Sequence, residues 1–239
     1  MPRQILHLCQ SALTRGFRWS PLHLTPFAPL HYPALRLTII GGMALLNPTY
    51  VRMRNLTSVA LFAALTVALG AVYIPLPWSP IPITGQTLGA MLAGGVLGAR
   101  RGLQSMLLVM LLVAVGLPVL AGGRGGLGVF VGPTAGYLVA WPVVALFIGL
   151  AVERIPFGRA SFPFLMATNV AGAFLIYVPG VLWMSYVTGV PIPQAVVAGV
   201  LPFIPGDMVK AVAASMATFA LWRANDPRAT ARTAVATHQ

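Results

Sequence analysis

The chain has 239 residues, 58% hydrophobic and 8% charged, with a formal net charge of +12. Its mean hydropathy of +0.85 leaves too little polar surface for water, where a soluble domain carries about 25% charged residues; the composition excludes an ordinary soluble domain and indicates a membrane protein. The basic residues gather in loops and tails and form no face interleaved with aromatics, so a nucleic-acid partner is excluded too.

Residues 1–52 differ from the rest. They hold Arg3, Arg15, Arg18, Arg36 and Arg52, the prolines of PLHLTPFAPLHYP, and no acid. They read as a leader outside the fold, disordered or added by a start placed too early, with Met43 and Met53 as alternative starts. Cys9 is a lone cysteine, and His7, His23, His31 and His238 all lie in the tails. The body therefore has no disulfide, no histidine-based metal site and no expected cofactor.

Six apolar segments follow, and each is predicted to be a transmembrane helix. Span one runs over about 56–74. YIPLPWSPIPIT comes next, and its closely spaced prolines forbid helix and favour a stiff, extended path. Span two covers about 86–97 and is short for a bilayer. After ARRG, span three covers about 103–120. The glycine-rich loop GGRGGLGVFVGP leads into span four, about 134–152. ERIPFGRA is a polar turn, span five covers about 162–186, and span six about 195–222. The predicted class is an all-α membrane protein, with a six-span domain at 53–222 and a basic tail at 223–239.

Orientation follows from the positive charges. With six spans, thirteen of the fifteen Arg and Lys residues fall on one side. Arg124 falls on the other, and Lys210 lies within span six. Both termini are therefore expected in the cytoplasm, and the proline loop, the glycine loop and the connection between spans five and six outside. Sculpted, nearly uncharged outer loops suit capture of a ligand in an extracellular pocket.

The stretch GRGGLG at 123–128 fits G-x-G-x-x-G, the glycine pattern of dinucleotide-binding loops. Its setting excludes that function. It joins two membrane spans instead of a strand and a soluble helix, and no acid lies about 20 residues on at the same face. No Walker loop exists either, because Lys210 is the chain's only lysine and follows a valine. The glycines, Gly125 and Gly126 among them, instead let the backbone fold tightly and present N–H groups to a guest. Arg124 could meet a carboxylate or a lipid headgroup.

Span six holds FIPGDMVK. Asp207 and Lys210 are three residues apart and share a helix face. On insertion scales each would cost about 2.5–3.5 kcal/mol at the centre of a membrane helix. Two apolar residues would serve packing at least as well, so the pair points to a site. One accepts and the other donates hydrogen bonds, which suits a neutral urea or amide. Gln86, Thr87, Asn169, Tyr177 and Tyr186 are the other polar candidates in the outer half. Trp78, Trp183 and Phe130 could form apolar walls, or an interfacial belt or core. Ala60, Ala64 and Ala68 on span one, and Ala90, Gly94 and Gly98 on span two, make small faces for close helix contact, inside the chain or with a partner.

Taken together, PIPITGQTLGAMLAGGVLGARRG, GLPVLAGGRGGLGVFVGPTAGYL and PGDMVK resemble the BioY family, the biotin-binding S components of energy-coupling factor transporters. The resemblance covers about 53–222. It implies a biotin pocket roofed by the loops after spans one and three, with Asp207 and Lys210 contributing. It implies that Ala60, Ala64 and Ala68 form the face that docks on a transmembrane coupling subunit, and that a cytoplasmic ATPase pair supplies the energy. The expected substrate-binding set is Asp207, Lys210, Gln86, Arg124, Gly125, Gly126, Asn169, Tyr177 and Trp78. The chain is then a transporter subunit of the cytoplasmic (inner) membrane and not an enzyme. Two alternatives stand: an S component for another vitamin, and a proton-coupled carrier using Asp207. An intramembrane protease is excluded, since the spans hold a single acid and no histidine.

Overall fold

A computed structural model describes residues 48–154 and 162–224. The expected leader up to residue 47, the expected turn at 155–161 and the expected tail at 225–239 lie outside the described residues. The described residues form seven α-helices and one two-stranded ribbon.

Helix α1, Pro48–Leu69, begins five residues inside the stretch set apart by composition. It ends where Gly70 donates its N–H to Val67 O. The proline loop is extended as expected, and its ends pair as the antiparallel strands β1 (Tyr73–Ile74) and β2 (Ile83–Thr84). Helix α2, Gln86–Leu97, has the bounds predicted for span two. Its 12 residues span about 18 Å, well short of a bilayer core. It packs against α1, against the next two helices and against the last one. Glycine and alanine permit this, with Ala90, Met91 and Ala93 fully buried. At Gly94 a Cβ would stand 2.6 Å from Ala145 O on a neighbouring helix.

The chain turns sharply at Gly98, where φ is +83°, into α3, Ala99–Ala114. The first N–H of α3 has no helical acceptor; Glu153 Oε1 accepts it at 2.8 Å. Arg101 donates to Asn55 on α1 at 3.2 Å. The ends of α1, α2 and the helix carrying Glu153 therefore meet at one end of the bundle. Helix α3 stops six residues before the predicted end of span three, because Gly116 turns left-handed (φ +101°) and Pro118 cannot continue a helix.

The glycine loop folds back on itself. Gly122 and Gly123 occupy left-handed conformations, and Leu120 N–H meets Arg124 O at 3.0 Å. Gly126 N–H is donated to Val113 O at 2.7 Å, which pins the loop to the end of α3. A 3-10 turn at Leu127–Phe130 leads to α4, Ala135–Glu153.

Helices α4 and α5 (Phe162–Thr188) pack closely. Each is long and apolar enough to cross a membrane alone. The predicted sixth span is broken. Helix α6, Ile192–Gly199, and helix α7, Ile204–Ala224, meet at 53° and together pass the same test as one bent span. Pro202 and Pro205 cause the break, since neither offers an N–H to the preceding turn. Exposed apolar side chains such as Leu111, Val143, Val178, Leu182, Val209 and Met216 cover the outside of the bundle. A surface this apolar is suited to lipid, and the chain is a membrane protein.

Candidate functional site

Asp207 sits in the first turn of α7, just past the break, and is 4% exposed. Its two carboxylate oxygens have separate partners. Oδ1 accepts from Lys210 Nζ at 2.8 Å, and Oδ2 accepts from the Tyr177 hydroxyl on α5. Lys210 also donates to Thr87 Oγ1 on α2 at 3.1 Å. Four side chains from three helices thus form one connected polar group. Its first-turn position also sets the Asp207 carboxylate against the positive end of the α7 dipole.

This group forms one wall of a cavity of about 630 Å³, measured with its open mouth. Apolar walls come from Ile81, Leu138, Trp141, Ile176 and Phe203, with Tyr137 beside them. Ile81 and Phe203 arrive from the proline loop and from the α6–α7 break, so both irregular segments serve to bring apolar groups to the cavity. Gln86 and Arg124 line it from the side of the glycine loop.

Gln86, 1% exposed, begins α2. It donates to Val119 O at 3.1 Å and accepts from Ala121 N–H at 3.3 Å. Both of its amide ends are engaged, and they hold the root of the glycine loop over the cavity. Arg124 Nε donates to Ala121 O at 3.2 Å, which aims this exposed cation along the cavity lining.

Of the residues expected from sequence, Asp207, Lys210, Gln86, Arg124 and Tyr177 are brought together around the cavity. Gly125, Gly126, Asn169 and Trp78 fall outside its lining. Gly126 spends its N–H on Val113 O. Gly125 lies against the backbone of Leu117 and Gly116, where a side chain would not fit. Asn169 is buried between α5 and α7 and donates to Leu165 O and to Ser215 Oγ, at 3.0 and 2.9 Å. Trp78 is 67% exposed at the tip of the proline loop. Trp183 donates to Gly132 O at 2.9 Å, also outside the cavity. Tyr137 and Trp141 line the cavity but were not singled out by the sequence reading. The available signal was weak: an aromatic pair four residues apart at the start of a span, directly after the glycine loop.

The small faces of α1 and α2 have opposite placements. Ala90, Gly94 and Gly98 are buried inside the bundle, whereas Ala60, Ala64 and Ala68 are exposed. The inward face of α1 is instead Val59, Ala63 and Thr66.

The chain matches the BioY family over residues 43–226. The biotin transporter BioY of Rhodobacter capsulatus is 50% identical over 168 residues, covering 66% of this chain and 88% of that relative. Its counterpart in Rhizobium etli is 47% identical over 169 residues, covering 68% of this chain and 90% of the relative. Among solved structures, the S-component for biotin from an ECF-type ABC transporter is similar with a TM-score of 0.67 at 33% identity, covering 72% of this chain and 93% of that one. The match runs through both loops over the cavity and through the Asp207–Lys210 helix, and the chain belongs to the BioY family.

Proposed function

We propose that this chain captures biotin outside the cytoplasmic membrane and serves as the substrate-binding subunit of an energy-coupling factor transporter. The observation that carries this reading is the Asp207–Lys210 pair facing an apolar cavity, with Tyr177 and Thr87 completing it. Biotin presents a ureido group with two N–H donors and one carbonyl, a largely apolar body, and a carboxylate tail. Asp207 suits the ureido N–H groups and Lys210 the ureido carbonyl. Ile81, Trp141, Ile176 and Phe203 suit the body. Arg124, exposed on the lining, suits the tail carboxylate.

The chain crosses the membrane six times, with α6 and α7 as one bent passage and with the short α2 buried among its neighbours. Both termini face the cytoplasm. Arg52 and Arg54 on α1, Arg100 and Arg101 after the α2–α3 junction, and Arg154 after α4 support this, because excess positive charge marks cytoplasmic ends. The cavity belongs to the opposite, external end, where the proline and glycine loops lie. Ala60, Ala64 and Ala68 are the docking face for the coupling subunit, and a cytoplasmic ATPase pair supplies the energy. The chain itself is no enzyme. The carrier alternative has less support: both oxygens of Asp207 are already engaged, one of them by a cation.

Uptake of labelled biotin into cells without their own biotin transporter tests the proposal. Uptake should rise when the coupling subunit and ATPase pair are expressed with this chain, and fall when ATP is depleted. Uptake that ignores ATP but collapses with the proton gradient would favour the carrier.

A further inference from the structure

Tyr137 joins the cavity to the break in the last span. Its ring lines the cavity from α4. Its hydroxyl donates to the Gly199 carbonyl at 3.0 Å. Gly199 is the last residue of α6, where carbonyls lack helical donors. The 53° bend begins just beyond it, so continued helix does not satisfy this oxygen and Tyr137 does. Two glycines make room for the side chain. A Cβ at Gly180 on α5 would lie 2.6 Å from Tyr137 Cζ, and one at Gly199 would strike the hydroxyl. Past the bend, Phe203 is buried and lines the cavity, and its carbonyl accepts the Asp207 N–H at 2.8 Å. The Tyr137 ring packs against the buried cluster of Ile81, Tyr177, Met184 and Phe203.

We propose that Tyr137 is a positioning residue for the ligand: its bond to Gly199 holds the α6–α7 bend at the angle that keeps Phe203 and Asp207 against the cavity. The inference rests on the biotin reading for its ligand and on the bend alone for its geometry. A ligand pressed between Phe203 and Tyr137 leaves when the bend relaxes. Loss of the brace therefore acts on release more than on capture.

The test compares the purified full-length chain with Tyr137→Phe, Gly199→Ala, their double variant, and Ser185→Ala. The last removes a single bond of similar kind, Ser185 Oγ on α5 to Val190 O in the loop that follows, at 2.7 Å and outside the cavity. Thermal stability, biotin association and dissociation, and hydrogen exchange of the amides of Val200 and Phe203 are measured on each. Tyr137→Phe should speed dissociation about three- to tenfold, leave association within about twofold, and speed exchange at the bend. Gly199→Ala should show the same defect. Adding it to Tyr137→Phe should cost little more, because the methyl takes the place of the missing hydroxyl. Dissociation and exchange at wild-type rates in Tyr137→Phe would overturn the proposal, as would an equal effect from Ser185→Ala. Exchange in the ligand-free chain reads the brace without any ligand, so failure of the wild type to bind biotin would overturn the functional reading while exchange still decides the brace.

Discussion

Lys210 Nζ lies 2.8 Å from Asp207 Oδ1, one turn away on α7, with the two side chains 13% and 5% exposed. Two opposite charges held this closely and this deep gain mutual attraction but lose hydration. The pair has a donor and an acceptor at the wall of an otherwise apolar cavity. Those are the two functions needed to hold a neutral ureido group in a dry site.

Asp207→Asn keeps size and an acceptor but removes the charge that Lys210 and Tyr177 share and that the proposal assigns to a ureido N–H as well. An unsatisfied buried partner costs about 1–3 kcal/mol, more when charged, so biotin affinity should fall about 10- to 100-fold. The double change Asp207→Leu, Lys210→Leu should leave a folded protein, since apolar replacement of a buried pair is often neutral for stability, yet abolish binding. Thermal unfolding beside equilibrium binding checks both halves. Near wild-type binding by the double variant would reduce the pair to scaffolding.

Gln86 acts on the loop. Gln86→Leu removes the acceptor of the buried Ala121 N–H and the donor to Val119 O. The root of the glycine loop should loosen, with faster hydrogen exchange at Ala121 and about tenfold weaker binding. Unchanged exchange at Ala121 would show that the loop is held by its own turns.

Sequence alone reached the cavity through its charges. Asp207 and Lys210 stood out because ionisable side chains inside a span are rare and costly, and Tyr177, Gln86 and Arg124 because polar groups were few. Asn169 met the same criterion, yet it lies in a helix seam with Ser215. Residue type does not separate a cavity wall from an interhelical bond; only the packing of α5 on α7 does. Tyr137 carried the opposite difficulty, since an aromatic at a helix end reads equally well as an interfacial anchor. Span two was readable to the residue because glycines flank it on both sides. Span three was drawn too long because the left-handed turn at Gly116 leaves no mark in hydropathy. Span six is predicted as continuous although Pro202 and Pro205 lie within it; the size of the bend depends on contacts with α4 and α5 that no local pattern encodes. The small faces of α1 and α2 look alike in sequence, and only the position of α2 inside the bundle separates their placements.

Ala60, Ala64 and Ala68 are exposed on α1, and the proposal assigns that face to the coupling subunit. Ala64→Leu should leave biotin binding and thermal stability near wild type, because Ala64 is exposed and belongs neither to the cavity lining nor to the buried face of α1. It should weaken co-purification with the coupling subunit by blocking close helix approach. Co-purification at wild-type yield would move the docking face elsewhere.

The bond between Asn169 and Ser215 crosses from α5 to α7. Interhelical hydrogen bonds of this kind contribute about 0.6 kcal/mol on average and up to about 1.7. Asn169→Ala should therefore lower thermal stability while biotin affinity stays within about threefold. A larger loss of affinity than of stability would restore Asn169 to the ligand site.

Equilibrium binding of labelled biotin to the purified full-length chain tests the central claim most directly. The account predicts saturable binding close to one biotin per chain, displaced by unlabelled biotin, not displaced by an equal excess of another water-soluble vitamin, and weakened at least tenfold in Asp207→Asn. No saturable binding by a folded chain, or tighter binding of a different vitamin, would contradict it.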